Sequence, residues 1–415
     1  MAKRRKQKPV NVPFRFLCFV VVLCIVAFLV YKYYYLPYLA PQTELSEEAS
    51  VNESEEESEE ESEEESEEAS VEHSHVEKET VVSADLSIHF LELGNKYTGD
   101  CTLIKVGDTE VLIDAGSRQN SAPTILSYIN EYCTDGVLEY VIATHAHQDH
   151  IAGFVGQSNK GKYNGVLYSM KVGTLIQFAL SDQSETTDTG GRSLYGKYVD
   201  AVGYAESQGT KVLTALQCVN ETDGGQQEYV LNQAETVKMR ILYNYYYDHS
   251  AAKTYGEENN YSVCMLLSDS ENNYLFTGDL EAEGESYLVD NNTLPHCKLF
   301  KGGHHGSFTA SSKTLLEVIE PEIVCVCCCC GNTQEYRASI EHVFPAQEFC
   351  DRVFQYTTAV YVTSIISSDG SKGESLNGNI VVYAVNGEVF VDCSNNNTVF
   401  KDTEWFKKYR TYGKG

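Results

Sequence analysis

Three histidines and an aspartate, His145, His147, Asp149 and His150, crowd into six residues directly after the apolar run at 138–143. A short apolar run of this kind reads as a buried strand. Side chains two apart at a strand end project to the same side. His145 and His147 are therefore placed to hold one cation together, and Asp149 and His150, on the turn beyond, to reach a second. Imidazole nitrogen and carboxylate oxygen are donors that Zn²⁺ or Mn²⁺ accepts while leaving a position for water. The bland alternative is a chance cluster of polar residues on a surface loop. The apolar strand leading straight into the cluster argues against it.

A metal centre needs more ligands, and the downstream sequence offers them. Asp279 follows the apolar strand 274–276 and Gly278, so its carboxylate emerges at a strand end, placed to bridge two cations. The alternative is an ordinary turn aspartate. His304 and His305 lie between Gly303 and Gly306, and glycines let a backbone approach a ligand closely. Adjacent histidines point different ways, so one of them binds metal while the other faces substrate.

Composition divides the rest of the chain. Residues 1–13 are a basic tail containing Lys3, Arg4, Arg5, Lys6 and Lys8. An uncharged apolar run from Phe16 to Val30 follows, then Tyr31, Tyr33, Tyr34, Tyr35 and Tyr38. That order predicts an uncleaved signal anchor, a single transmembrane helix over 14–38, with the catalytic part outside the cell. A cleaved signal peptide is the rival reading. Residues 39–82 form a Glu- and Ser-rich linker with too little apolar surface to fold, expected to stay disordered, and His73 and His75 in it are incidental. A globular domain follows over 83–400, and residues 401–415 are a C-terminal tail.

The net charge is −29, and the globular part is acidic even without the linker. A broad nucleic-acid-binding face is therefore not supported, although a local cationic groove stays open. Strands at 86–93, 102–106, 110–113, 138–143, 262–267, 274–276, 359–365, 378–385 and 388–391 alternate with helices at 122–132, 312–319 and 345–354. This pattern predicts a mixed α/β architecture. Residues 155–240 show apolar strands between Gly-rich loops. Cys325 to Cys330 continue an apolar strand, and since strand neighbours face opposite sides they cannot pair with each other. They read as small apolar residues of a buried strand.

Taken in order, four motifs resemble the metallo-β-lactamase superfamily: Leu112-Ile113-Asp114-Ala115-Gly116, Thr144-His145-Ala146-His147-Gln148-Asp149-His150, Leu275-Phe276-Thr277-Gly278-Asp279 and His304-His305-Gly306-Ser307. The set is most similar to the branch of ComEC-like competence DNA-uptake domains and teichoic-acid phosphorylcholine esterases. Ile88-His89-Phe90, Gly99-Asp100-Cys101, Asn260-Tyr261-Ser262 and Gly331-Asn332 are supporting matches. The resemblance spans roughly residues 86–392. It implies an αββα sandwich with two divalent metals, zinc or manganese, at one edge of two facing sheets. By the same resemblance the first metal falls to His145 and His147, and the second to Asp149, His150 and His305. Asp279 bridges, and Asp114 orients the loop.

The superfamily's third histidine has only His249 as a counterpart, and the loop at 94–100 is longer than the family's. His89 reads as structural, His342 as the start of a helix, and His296 carries no motif. The mechanism expected from the resemblance is attack by a hydroxide bridging the metals, with Asp149 and His304 as catalytic residues and Asn260 and Ser307 as substrate contacts. The expected substrate is a phosphate ester or diester, on a wall polymer, phosphorylcholine or nucleic acid. The alternatives are another ester, lactone, lactam or thioester on the same fold, or a non-catalytic uptake module.

Overall fold

Alternation along individual strands sets the layering. In the strand Cys264–Ser268, Met265 and Leu267 join one apolar core while Cys264 and Leu266 join another. In Asn273–Phe276, Tyr274 and Phe276 take the first side and Leu275 the second. In Ile323–Val326, Ile323 and Cys325 take the first side and Val324 and Val326 the second. Strands apolar on both faces must be covered on both faces. Their sheet is an inner layer.

The computed structural model describes residues 84–94, 97–157, 163–252, 254, 258–327, 343–367 and 372–413. The two main sheets are built, in chain order, from β1 (Leu86–Phe90), β2 (Thr102–Val106), β3 (Thr109–Ile113), β4 (Val137–Ala143), β5 (Lys171–Gln177), β6 (Lys211–Thr214), β7 (Glu228–Val230), β8 (Lys238–Leu242), β9 (Cys264–Ser268), β10 (Asn273–Phe276), β11 (Leu299–Lys301), β12 (Ile323–Val326), β13 (Val360–Val362), β14 (Ile380–Val385) and β15 (Glu388–Cys393). One sheet runs β15-β14-β1-β2-β3-β4-β5-β6 and the other β13-β12-β11-β10-β9-β8-β7. Phe90 of the first stacks on Phe276 of the second, ring centroids 6.4 Å apart.

Helices cover both outer faces. α1 (Ala122–Tyr132), α2 (Gln148–Val155) and α3 (Leu194–Ser207) bring Ile125, Phe154 and Tyr198 to the core of the first sheet. α4 (Ala282–Asn291), α5 (Lys313–Ile319), α6 (Gln347–Val353) and α7 (Glu404–Tyr409) bring Leu288, Leu315, Phe349 and Phe406 to the second. The αββα order expected from the motifs is the order observed.

Two parallel pairings bring distant loops to a common edge. β3 and β4 are parallel with Ile113 opposite Ile142, and β10 and β11 are parallel with Leu275 opposite Phe300. Parallel neighbours end on the same side of a sheet, so the residues after each strand are delivered side by side. In open α/β sheets that carboxyl edge is where ligands bind.

Some boundaries differ from the sequence reading. The run at 359–365 is divided: β13 joins the large sheet, while Ser364–Ile366 pairs with Gly373–Ser375 in a separate ribbon. α7 lies within the residues read as a tail, where Trp405 and Phe406 are buried and Arg410 donates to the carbonyls of Pro345 and Val343. Its amphipathic pattern is only two turns long, too short to stand out from a polar terminus. Cys325 and Cys327 are free and buried, as small apolar residues. Cys328 to Cys330, Gly331-Asn332, His342, the anchor at 14–38 and the linker at 39–82 lie outside the described residues. Among the described residues no helix is long and apolar enough to cross a membrane.

His89 is structural. It is buried in β1, its ring nitrogens 2.9 Å from Tyr128 Oη and 2.9 Å from Ser87 Oγ, with Tyr132 against its face. Burial, and then the Lys105 charge, push its pKa down to about 3. Between its ordinary value of about 6.5 and about 3, the unfolded chain takes up a proton that the folded chain refuses. Stability conferred by the neutral ring is thus full above pH 6.5 and lost as the pH falls, at roughly 1.4 kcal/mol per pH unit. His89→Gln is expected to flatten the acid limb of urea-unfolding stability by one proton equivalent. Parallel acid limbs for variant and wild type would refute this.

Candidate metal centre

Four strand ends supply the site. Beyond β3 the backbone turns at Asp114, whose φ is +57°, and its carboxylate accepts from Thr144 N (2.8 Å) and Thr144 Oγ1 (2.7 Å) at the end of β4. The same carboxylate lies 2.8 Å from His150 Nδ1. Glycine is required where this loop meets α2: a Cβ on Gly116 would lie 1.4 Å from the carbonyl oxygen of Asp149. Asp100 N donates to that same oxygen at 3.0 Å.

β4 delivers His145 and His147, and α2 begins with Asp149 and His150 in its first turn. Beyond β10, Gly278 (φ +56°) turns the chain so that Asp279 points inward. Beyond β11, His304 and His305 both adopt left-handed backbone (φ +44° and +52°), a conformation that costs a non-glycine residue on the order of 1–3 kcal/mol and is held only where surroundings impose it.

These side chains converge on one carboxylate oxygen. Asp279 Oδ2 lies 3.0 Å from His150 Nε2, 3.2 Å from His305 Nε2, 3.8 Å from His304 Nε2 and 4.0 Å from His145 Nε2. His305 Nε2 is 3.5 Å from Asp149 Oδ2, and His145 Nε2 is 3.0 Å from His147 Nδ1. His145, His150, Asp279 and His305 are buried. Tautomers are set from behind. His305 Nδ1 faces the Cys327 carbonyl at 3.0 Å, so it carries a proton and Nε2 is the nitrogen left to turn toward a metal.

The donor set fits divalent metal. Asp279 Oδ1 and His305 Nε2 are buried without a hydrogen-bond partner among the described residues. Two nitrogens on one tetrahedral Zn²⁺ stand about 3.3 Å apart, close to the His145–His147 spacing. Electrostatics agree. Burial alone would raise Asp279, yet the charges of His150, His305 and His304 hold it well below the usual carboxylate range. Burial would lower His150 and His305, yet Asp279, with Asp114 for the one and Asp100 for the other, holds both well above the usual range. His145 is held neutral, by burial first and then by His150 and His147. His150 and His305 are thus each held by a carboxylate beside them, the pairing in which a metal ion can take the place of the shared proton.

Not every residue read from the sequence reaches the site. His249 has a side chain 46% exposed, bonded to Asp248 and Tyr245, and does not line the cavity. Asn260 is buried, holds Thr254 Oγ1 and Glu281 N, and does not line the cavity, whereas its neighbour Asn259 does. Ser307 is buried against Thr309. His296 is an exposed partner of Glu322.

Other residues were not foreseen. Lys301, buried at the end of β11, forms an ion pair with Asp100, whose Oδ1 is 3.4 Å from His305 Nδ1. Asp100, His150, Asp279 and His305 together form a buried group able to hold a metal ion. Glu258 accepts from Ala146 N (3.1 Å) and Asp182 N (2.9 Å), bracing the turn between His145 and His147. A lysine inside the apolar stretch 299–301 was the available signal.

Residues 94–233 match the family model described as the metallo-beta-lactamase superfamily. The stretch contains the whole 145–150 turn, while Asp279, His304 and His305 lie beyond it. Over that stretch the chain is similar to the metallo-β-lactamase superfamily, and the structure places a buried aspartate–histidine cluster able to hold a metal ion there and in the strand ends beyond it. Among curated proteins, the chain is 30% identical to Recombination protein 2 of Haemophilus influenzae over 108 residues, 26% of this chain and 12% of that protein, in keeping with the DNA-uptake branch. The chain thus covers only a small part of that relative. Similar solved structures include the metallo-beta-lactamase fold protein YhfI from Bacillus subtilis (11% identity, 68% of this chain and 97% of that one, TM-score 0.37). A possible metal-dependent hydrolase from Veillonella parvula also matches (9% identity, 71% and 100%, TM-score 0.35). The layer order rests on the strand pairing rather than on these likenesses.

Proposed function

We infer that this chain is a metal-dependent hydrolase of phosphate esters or diesters, anchored in the cell membrane with its active domain outside. One observation carries the reading: imidazoles from two separate strand ends surround a single buried carboxylate, Asp279, whose second oxygen has no partner among the described residues. Divalent ions held by His145, His147, Asp149, His150, Asp279 and His305 would acidify water and offset charge developing on the oxygens of the attacked group.

The chain's own residues do the rest. Asp114 and the Cys327 carbonyl orient His150 and His305. His304 is less buried than His305 (side chain 13% against 0% exposed) and lines the cavity, with Nδ1 3.0 Å from Thr309 Oγ1 and 3.5 Å from Glu281 Oε1. Held this way, it is placed to hand a proton to the departing oxygen. Asp149, 30% exposed at the side chain, faces the same cavity and orients the attacking water. The anchor is supported by the order of basic, apolar and aromatic residues before residue 39.

Full-length protein reconstituted with Zn²⁺ or Mn²⁺ is expected to hold about two ions per chain and to cleave bis-p-nitrophenyl phosphate or p-nitrophenyl phosphorylcholine. Lactam turnover without phosphodiester turnover would overturn the substrate class. A folded protein that binds no metal would overturn the reading altogether.

A further inference from the structure

The cavity in front of Asp279 has a volume of about 210 Å³, and Arg118 is the only Lys or Arg among the described residues that line it. We propose that Arg118 is the substrate-anion receptor of this site, gripping a phosphoryl oxygen and thereby selecting phosphate esters over uncharged ones. The proposal rests on the phosphoesterase reading and names the residue responsible for it.

Three observations carry it. The first is fixation. The Arg118 backbone N–H donates to Ser121 Oγ (3.3 Å), pinning the loop after Gly116. The guanidinium carbon lies 3.9 Å from the centroid of the Tyr97 ring. The Gln148 amide, turned so that its oxygen faces the guanidinium, accepts from Nε at 3.0 Å and from Nη1 at 3.1 Å. A planar fork stacked on a ring and hydrogen-bonded at one edge is oriented before a ligand arrives, so less freedom is lost on binding.

The second is charge. Both neighbours that fix Arg118 are uncharged, and among the described residues no carboxylate pairs with it. Arg192 behaves differently: on the surface, it is paired with Glu185 and Asp200. A guanidinium held in place but left un-neutralised, in a chain of net charge −29, is a specific departure. Planar guanidinium groups match phosphate oxygens in pairs, which an ammonium cannot do.

The third is placement. Gln148 lies between His147 and Asp149, so the group that orients Arg118 belongs to the turn that carries metal-facing side chains. Arg118 itself follows the Asp114–Gly116 loop that packs on α2. The loop at 94–100, longer than the resemblance led one to expect, supplies Tyr97. An anion entering the cavity is therefore met by a fixed cation on its wall, which answers the requirement an acidic domain imposes on an anionic substrate.

The test uses full-length, metal-reconstituted protein, with Arg118→Ala and Arg118→Lys. Inorganic phosphate affinity is measured by calorimetry, and kcat and KM with bis-p-nitrophenyl phosphate. Arg118→Ala is expected to weaken phosphate binding and raise KM by roughly 10- to 100-fold, the range for a hydrogen bond to a charged group. Metal content and thermal midpoint should hold, and kcat should change far less than KM. Arg118→Lys should fall between, and it decides the matter if the alanine variant loses metal or fold. Phosphate affinity and KM within twofold of wild type would overturn the proposal, as would a loss confined to kcat. If wild type hydrolyses lactam but no phosphodiester, the phosphoesterase reading fails on its own, and phosphate affinity still judges Arg118.

Discussion

Asp279→Asn is expected to lower kcat/KM for bis-p-nitrophenyl phosphate by roughly 10³-fold or more and to reduce bound metal to one ion or fewer per chain. Asparagine preserves shape but removes the charge and one of two oxygen donors. The loss is concentrated because Oδ2 stands within 3.0–3.2 Å of His150 and His305 while Oδ1 is buried with no other partner among the described residues. The neighbouring carboxylates are already engaged: Asp114 by Thr144 and His150, Asp100 by Lys301, and Asp149 beside His305 in its own place in the site. Metal analysis by mass spectrometry and steady-state kinetics check this, with thermal unfolding as a control for folding. A variant retaining two ions and wild-type turnover would remove Asp279 from the centre of the site.

The second large effect is on stability. Lys301→Met is expected to destabilise the fold by about 3–5 kcal/mol, the cost of leaving a buried charge without its partner. Asp100 and Lys301 have side chains 1% and 2% exposed, and Lys301 is held well above its ordinary range: burial would lower it, but the Asp100 charge outweighs that. The double variant Asp100→Asn, Lys301→Met should recover much of the loss, because no charge is then stranded. Denaturant unfolding of both single variants and the double completes the cycle. Additive single effects would mean that the two groups do not act as a pair. Since Asp100 also lies 3.4 Å from His305 Nδ1 and 3.8 Å from His150 Nδ1, Lys301→Met should weaken metal affinity as well.

Much of this was legible along the chain. His145, His147, Asp149 and His150 sit within six residues, and a strand followed by a turn dictates that they share one place. The strand at 102–106 and the helix at 122–132 were read at the bounds observed for β2 and α1. Asn260 and Ser307 were read as substrate contacts but do not line the cavity, because a polar side chain inside a motif looks the same whether it faces a ligand or braces a loop. Only the count of its partners distinguishes them, and those partners come from elsewhere in the chain. His249 is away from the cavity for a similar reason: sequence order put it in the right interval, but its own turn ties it to Asp248 and Tyr245 at the surface.

The sequence by itself determined the chemistry available to this protein, since side-chain type and local spacing decide which donors exist and which stand together on one turn. The tertiary structure alone decided which distant donors meet. Parallel pairing of β3 with β4 and of β10 with β11 aligns the strand ends within each sheet, and the facing of the two sheets brings His150 and Asp279, 129 residues apart, to one edge. There Lys301 finds Asp100, and Arg118 is held over Tyr97 with no carboxylate paired to it among the described residues. Such pairings come from packing two sheets face to face, a long-range free energy that no local pattern encodes.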